Sequence, residues 1–233
     1  MKRRIAVCMA IMLSAAVGVH AEEGKHLFIL SGQSNMAGMD PKLSFIPAVE
    51  EKFGKENVIV VKDAHGGRPI RDWSKHQGTV DGVGPKNSRS GLYNRMMKKV
   101  RPAIEGQTIK SVTFLWMQGE RDARERLSEV YEKAFAGLLK QLEADLGRED
   151  INFVVGRLSD FDMENKKYAH WTKIRDILVK IADDSPRGAW VDTDDLNNMT
   201  RGPKSWDDLH YTKDGYKILG ERFAEKAIEL IEK

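Results

Sequence analysis

The sequence predicts an α/β domain of three layers, with helices on both faces of a five-stranded parallel sheet. Short runs of β-branched and other apolar residues alternate along the chain with longer amphipathic stretches. Those short runs are apolar throughout rather than at every second residue, so they need cover on both faces, which crossover helices supply. The third observation concerns length: residues 22–233 hold no internal repeat, low-complexity tract or proline-rich linker, and they suffice for one good-sized core.

Residues 1–21 read as a secretory signal peptide rather than as part of the fold. Lys2, Arg3 and Arg4 precede an apolar run from Ile5 to Val19, and Val19-His20-Ala21 offers a cleavage site. The run is short and is followed at once by Glu22, Glu23 and Lys25, which does not suit a membrane span. The expectation is a secreted or periplasmic protein that leaves the membrane once the signal is removed. The formal charge of +3 resides in Lys2, Arg3 and Arg4. The remainder is balanced, which gives no basic surface for nucleic acid. The single cysteine, Cys8, leaves with the signal, so residues 22–233 hold no disulfide, thiolate metal site or cysteine nucleophile.

The elements come in order along the chain. Leu27 to Leu30 form the first strand, stopped by the turn residues Ser31, Gly32 and Gln33. Val58 to Val61, Val112 to Trp116, Ile151 to Val155 and Ala189 to Val191 supply the others. Helical patterns fall at Leu92 to Ile104, Ser128 to Leu146, Tyr168 to Ala182 and Gly215 to Ile231. The clearest is Ser128 to Leu146, where Val130, Tyr131, Ala134, Phe135, Leu138, Leu139 and Leu142 make one stripe and Gly147 marks the stop. His76 to Gly91 and Asp192 to Trp206 show no period and read as long polar loops, which in a compact domain are more often functional than accidental.

Ligands of open parallel sheets sit beyond the carboxyl ends of the strands, so the residues just past each strand carry the functional reading. Ser34 comes after the first. AHGGRPIRDW, with Gly66 and Gly67, comes after the second; MQGERDA, with Gln118 and Glu120, comes after the third. The loop after the fifth leads to Asp207, Asp208 and His210 just before the last helix. These are the parts of acyl transfer: Ser34 as nucleophile, His210 as base, and Asp207 to orient the imidazole. The backbone N–H groups of Ser34 and Gly66, with the Gln118 amide, would form the oxyanion hole. Asp208 rivals Asp207, although adjacent side chains of an extended segment point opposite ways. Glu120 reads as a structural hydrogen-bonding residue.

These blocks resemble those of SGNH-type hydrolases, in the branch that holds acetylxylan esterases of carbohydrate esterase family six and the sialate O-acetylesterase domain. The matching segments are GQSNM at Gly32–Met36, GG-x-x-I-x-x-W at Gly66–Trp73, W-x-Q-G-E-x-D at Trp116–Asp122 and D-x-L-H at Asp207–His210. They occur in the family's order and span nearly all of residues 22–233. The resemblance implies a flavodoxin-like sheet of order 2-1-3-4-5 and deacetylation of an acylated carbohydrate by serine chemistry without metal or other cofactor. It also favours Asp207 over Asp208 by spacing and gives the oxyanion role to Gln118. Arg68 and Arg121 depart from the family's usual threonine and serine. Each is therefore a candidate to face an acidic sugar, or else to brace its loop, Arg68 with Asp72 and Arg121 with Glu120 or Asp122.

Trp73 and Trp206 border the second and last blocks and are candidates either for a sugar platform or for the core. Asp192, Asp194 and Asp195 lack the glycine and glutamate that complete a calcium loop and read as a solvated or capping cluster. Two other readings remain: an SGNH esterase or lipase acting on a non-sugar ester, and a carbohydrate-binding protein without catalysis.

Overall fold

A computed structural model describes residues 24–74 and 91–233; residues 1–23, which include the segment read as a signal peptide, and residues 75–90, which hold most of the polar loop expected from His76, lie outside the described residues. In chain order the elements are β1 (Lys25–Gly32), α1 (Ser34–Gly38), α2 (Phe45–Phe53), β2 (Val58–Ala64), α3 (Gly91–Ile104), β3 (Ile109–Met117) and α4 (Glu120–Arg124). Then come α5 (Ser128–Leu146), β4 (Asn152–Gly156), α6 (Trp171–Asp183), β5 (Gly188–Val191), β6 (Asn198–Arg201), β7 (Lys204–Asp207) and α7 (Lys213–Glu232).

Strands β1 to β5 form one parallel sheet in the order β2-β1-β3-β4-β5. The first strand lies inside the sheet and is apolar to match, with Leu27 to Leu30 at 0–1% exposure. Register aligns Gly32 with Ala64 on one side and Met117 on the other, so β1, β2 and β3 end at one rim. Helices α2 and α7 pack together on one face, while α5 and α6 pack together on the other. The core runs on both sides of the sheet, which is why uninterrupted apolar strands were the right signal.

Helix α5 buries Val130, Tyr131, Phe135, Leu138 and Leu142 and ends at Gly147, whose left-handed backbone (φ 65°) lets its N–H reach the Glu143 carbonyl. Helix α7 opens on Thr212, whose Oγ1 accepts the Gly215 N–H at 2.8 Å.

Three local features differ from the sequence reading. Helix α6 begins at Trp171, not Tyr168, because the Asp162 carboxylate accepts the N–H groups of Lys166, Lys167 and Tyr168 and holds that stretch as a turn. Helix α2 is additional; it buries Phe45 and Val49. The stretch read as an aperiodic loop from Asp192 contains an antiparallel hairpin, β6–β7, turning at Gly202 (φ 60°). Its residues are nearly all exposed, so no apolar alternation marks it.

Candidate active site

The turn after β1 depends on Gly32. Its φ is 140°, and a Cβ there would stand 2.0 Å from the Met117 carbonyl oxygen, the group that accepts the Gln33 N–H at 2.9 Å. Without a side chain at 32, the chain can lie against β3 and deliver Ser34 at the head of α1, where its N–H belongs to the unpaired first turn. The loop after β2 is held to the same turn, His65 N–H donating to the Gly32 carbonyl at 2.9 Å. A Cβ on Gly66 would lie 3.6 Å from that of Ser34, so the Gly66 backbone runs beside the serine.

His210 comes to Ser34 from the other end of the chain: Nε2 lies 3.1 Å from the serine Oγ across 176 residues of sequence. With its hydrogen on Nδ1, the neutral imidazole accepts the serine hydroxyl hydrogen at Nε2. The carboxylate beside Nδ1 is Asp208, at 3.9 Å, rather than Asp207. Asp207 ends β7, paired in register with Asn198 and exposed, while Asp208 leaves the strand with its N–H on the Asn197 carbonyl. Asp208 then closes a tight turn in which Oδ1 accepts the His210 N–H at 3.0 Å and Oδ2 accepts the Trp206 indole N–H at 3.3 Å. Its carboxyl is held below the usual carboxylate range, first by the His210 backbone N–H, with the Trp206 indole and the His210 ring adding to it. Alternation of adjacent side chains does select one of the pair, and it selects Asp208.

Gln118 does not face the serine. Its side chain is fully buried, with Nε2 among three acceptors: Asp122 Oδ2 at 2.6 Å, the Arg68 carbonyl at 3.1 Å and Gln33 Oε1 at 3.2 Å. Tyr131 donates to its Oε1 at 3.0 Å. An amide with two hydrogens among three acceptors has none left for an oxyanion. Gln118 instead ties the loops after β1, β2 and β3 together, helped by Asp122, which also accepts the Ile70 N–H at 2.9 Å. Burial raises the pKa of the Asp122 carboxyl to about 7.

A cavity of about 230 Å³ opens beside Ser34 and His210, walled by Gly67, Glu120, Arg121, Arg124 and Tyr168. Arg121 is drawn to Glu125, with Nε 2.6 Å from Oε1, rather than to Glu120 or Asp122. Arg124 makes no ion pair among the described residues. Arg68 lies 3.8 Å from Asp72, within ion-pair distance, and is not among the residues that line the cavity. Trp73 is core: it is fully buried, donates to Ser31 Oγ at 2.9 Å and meets Trp116 edge-on at 5.1 Å. Trp206 is 45% exposed on the hairpin beside Asp208. Asp192, Asp194 and Asp195 are taken by Arg157, Arg175 and Arg222.

Sequence reasoning missed Arg124 and Tyr168. Arg124 lies one turn after Arg121 on α4, so placing that helix on the rim would have found it. Nothing in the sequence marks Tyr168, which reaches the cavity from the turn organised by Asp162.

A flavodoxin-like sheet with a serine and a histidine meeting at its carboxyl rim is the architecture of the SGNH-type fold. Residues 37–229 match the model of the carbohydrate esterase, sialic acid-specific acetylesterase family, and the chain belongs to that family. A probable carbohydrate esterase of Arabidopsis thaliana is 30% identical over 130 residues, covering 54% of this chain and 44% of its own length. The match thus spans less than half of that relative. Among solved structures, an Arabidopsis thaliana protein superposes with a TM-score of 0.66 at 21% identity, over 89% of this chain and 99% of that one. A carbohydrate acetylesterase from Xanthomonas citri gives 0.64 at 18% identity, over 90% and 56%. NanS gives 0.62 at 13% identity, over 90% and 98%. At these identities the superpositions establish the fold.

Proposed function

We propose that this protein is an exported serine esterase that removes O-acetyl groups from a carbohydrate. The observation that carries the reading is the 3.1 Å approach of His210 Nε2 to Ser34 Oγ at the mouth of a cavity, in a chain of a carbohydrate esterase family. Ser34 Oγ attacks the acetyl carbonyl as Nε2 takes its proton. The tetrahedral oxyanion is met by the backbone N–H groups of Ser34 and Gly66. Collapse of the intermediate breaks the ester bond, and His210 returns the proton to the departing sugar hydroxyl. Water repeats the sequence on the acetyl-serine and releases acetate. Asp208 supports the imidazolium formed in each half. The cavity, at about 230 Å³, falls below the range of about 300–1,000 Å³ of drug-sized sites, which suits a short acyl group better than a lipid chain.

Arg124, beside Arg121 in the cavity wall, extends the reading to an acidic sugar, because a guanidinium with no carboxylate partner among the described residues is suited to pair one on the substrate. Residues 1–21 supply the export signal. The test is acetate release across a panel of acetylated glycans, neutral and acidic, with a Ser34→Ala variant and a chelator-treated sample alongside. Release by the wild type, unaffected by chelation and absent in the variant, is expected. Release that survives Ser34→Ala, or none from any glycan, would overturn the reading.

A further inference from the structure

Among the described residues that line the cavity, Glu120 carries the carboxyl. It is 1% exposed, and no lysine, arginine or histidine nitrogen lies within ion-pair distance of it among the described residues. Its Oε1 accepts Asn35 Nδ2 at 3.0 Å, but its Oε2 is buried with no hydrogen-bond partner among the described residues. An ionised carboxylate left that way bears an uncompensated buried charge, whereas a neutral carboxyl leaves one hydroxyl unpaired.

The side-chain partner of Glu120, Asn35, is well placed. Asn35 directly follows Ser34, and the same Nδ2 that donates to Glu120 also donates at 3.1 Å to the carbonyl of Leu209, which directly precedes His210. Tyr216 fixes the other end of that amide, its hydroxyl donating to Asn35 Oδ1 at 3.1 Å. One side chain therefore joins the residue after the nucleophile to the residue before the base, and Glu120 and Tyr216 hold it in orientation.

We propose, resting on the esterase reading above, that Glu120 is a positioning residue that works as a neutral carboxyl, orienting the Asn35 clamp that sets the Ser34–His210 distance. Burial lifts its pKa from 4.5 to about 7, with the charge of Asp122 adding to the rise and Asn35 and backbone N–H groups opposing it. The groups facing it are Asp122, Arg121 and Arg124 from α4, Tyr131 from α5, Tyr168 from the turn before α6, Tyr211 and His210 from the last loop, and Tyr216 from α7. Ionisation of Glu120 puts a charge among these with no cation committed to it, and the clamp loosens as the carboxylate draws in water.

The test compares Glu120→Gln and Glu120→Ala with the wild type. Glu120→Ala should lower kcat more than about tenfold while KM moves less than about threefold, and Glu120→Gln should restore kcat at pH 6 to within about threefold of wild type. As pH rises through 7, wild-type kcat should fall relative to Glu120→Gln, because every other group is common to the two proteins. A Glu120→Gln variant as impaired at pH 6 as Glu120→Ala would overturn the proposal, as would a ratio flat in pH. An infrared difference between wild type and Glu120→Gln reads the same group without turnover: a protonated-carboxyl band at pH 6 that titrates away near 7 is expected. Its absence refutes the neutral carboxyl even if no ester is hydrolysed, whereas its presence in a protein without esterase activity counts against the esterase reading alone.

Discussion

Replacing Asp208 with asparagine isolates the charge beside the His210 imidazole. Asparagine keeps an oxygen to accept the His210 N–H, so the turn that carries His210 survives and only the carboxylate's charge is lost. At 3.9 Å, the attraction between Asp208 and a protonated His210 is about 1 kcal/mol with water-like screening and about 4 kcal/mol at the effective dielectric of a protein surface. The two side chains, His210 and Asp208, are 48% and 39% exposed, which pulls the value toward the lower end, about 1–2 kcal/mol. At about 1.4 kcal/mol per factor of ten, Asp208→Asn should cost roughly five- to thirtyfold in kcat. That is far less than the roughly 10⁴-fold loss of a triad whose aspartate is buried and hydrogen-bonded to the ring. The assay is turnover of an aryl acetate at saturating substrate, for Asp208→Asn and Asp207→Asn side by side, at low and high ionic strength. Asp207→Asn should stay near wild type, and added salt should shrink the Asp208 effect. A larger loss in Asp207→Asn would refute the assignment and return the role to the residue that the motif spacing selects.

The remaining expectations are independent of that pair. Ser34→Ala and His210→Ala should each abolish aryl acetate hydrolysis with the fold intact, and the double variant should be little worse than either, since the two act as a unit. Trp73→Ala should cost about 3–5 kcal/mol of stability in urea unfolding, while Trp206→Ala should leave stability within about 0.5 kcal/mol. A folded Glu120 that keeps its proton up to about 7, against 4.5 when unfolded, means that the native state binds the extra proton between those values. Stability should therefore decline from pH 4.5 to 7 and level off above, and Glu120→Gln should remove up to about 3 kcal/mol of that decline in urea unfolding at pH 5 and 8. Arg124→Ala should raise KM for an acidic acetylated sugar several-fold and leave a neutral aryl acetate unchanged; equal effects on both would count against an anion contact.

The sheet was legible because its strands are buried on both faces, which leaves a pattern of unbroken apolar residues that no other fold class explains as simply. Ser34, Gly66 and His210 were legible because each comes just after a strand or just before a helix at the same rim. The features that escaped the sequence depend on side-chain direction. Asp207 and Asp208 are the same residue type in adjacent positions, and an exposed hairpin with no apolar alternation decides which one turns inward. Gln118 has the chemistry of an oxyanion donor, yet Asp122, the Arg68 carbonyl and Gln33 claim its amide, a competition among three loops that no local spacing reveals. Trp73 and Trp206 look alike in sequence; partners on β1 and β3 bury the first, and the second has its indole on a two-residue turn.

On the esterase reading proposed above, the 176 residues between Ser34 and His210 make hydrolytic competence a late property of the folding chain. Ser34 sits just past the end of the first strand, while His210 is delivered by the loop that leads into the last helix, after every strand of the main sheet has been laid down. A polypeptide still lacking its final thirty or so residues can assemble most of the apolar interior but has no partner for its serine. Recovery of turnover during refolding should therefore lag behind the recovery of secondary structure and coincide with docking of α7. On that reading turnover reports completion of the chain, and a chain interrupted before His210 stays chemically silent.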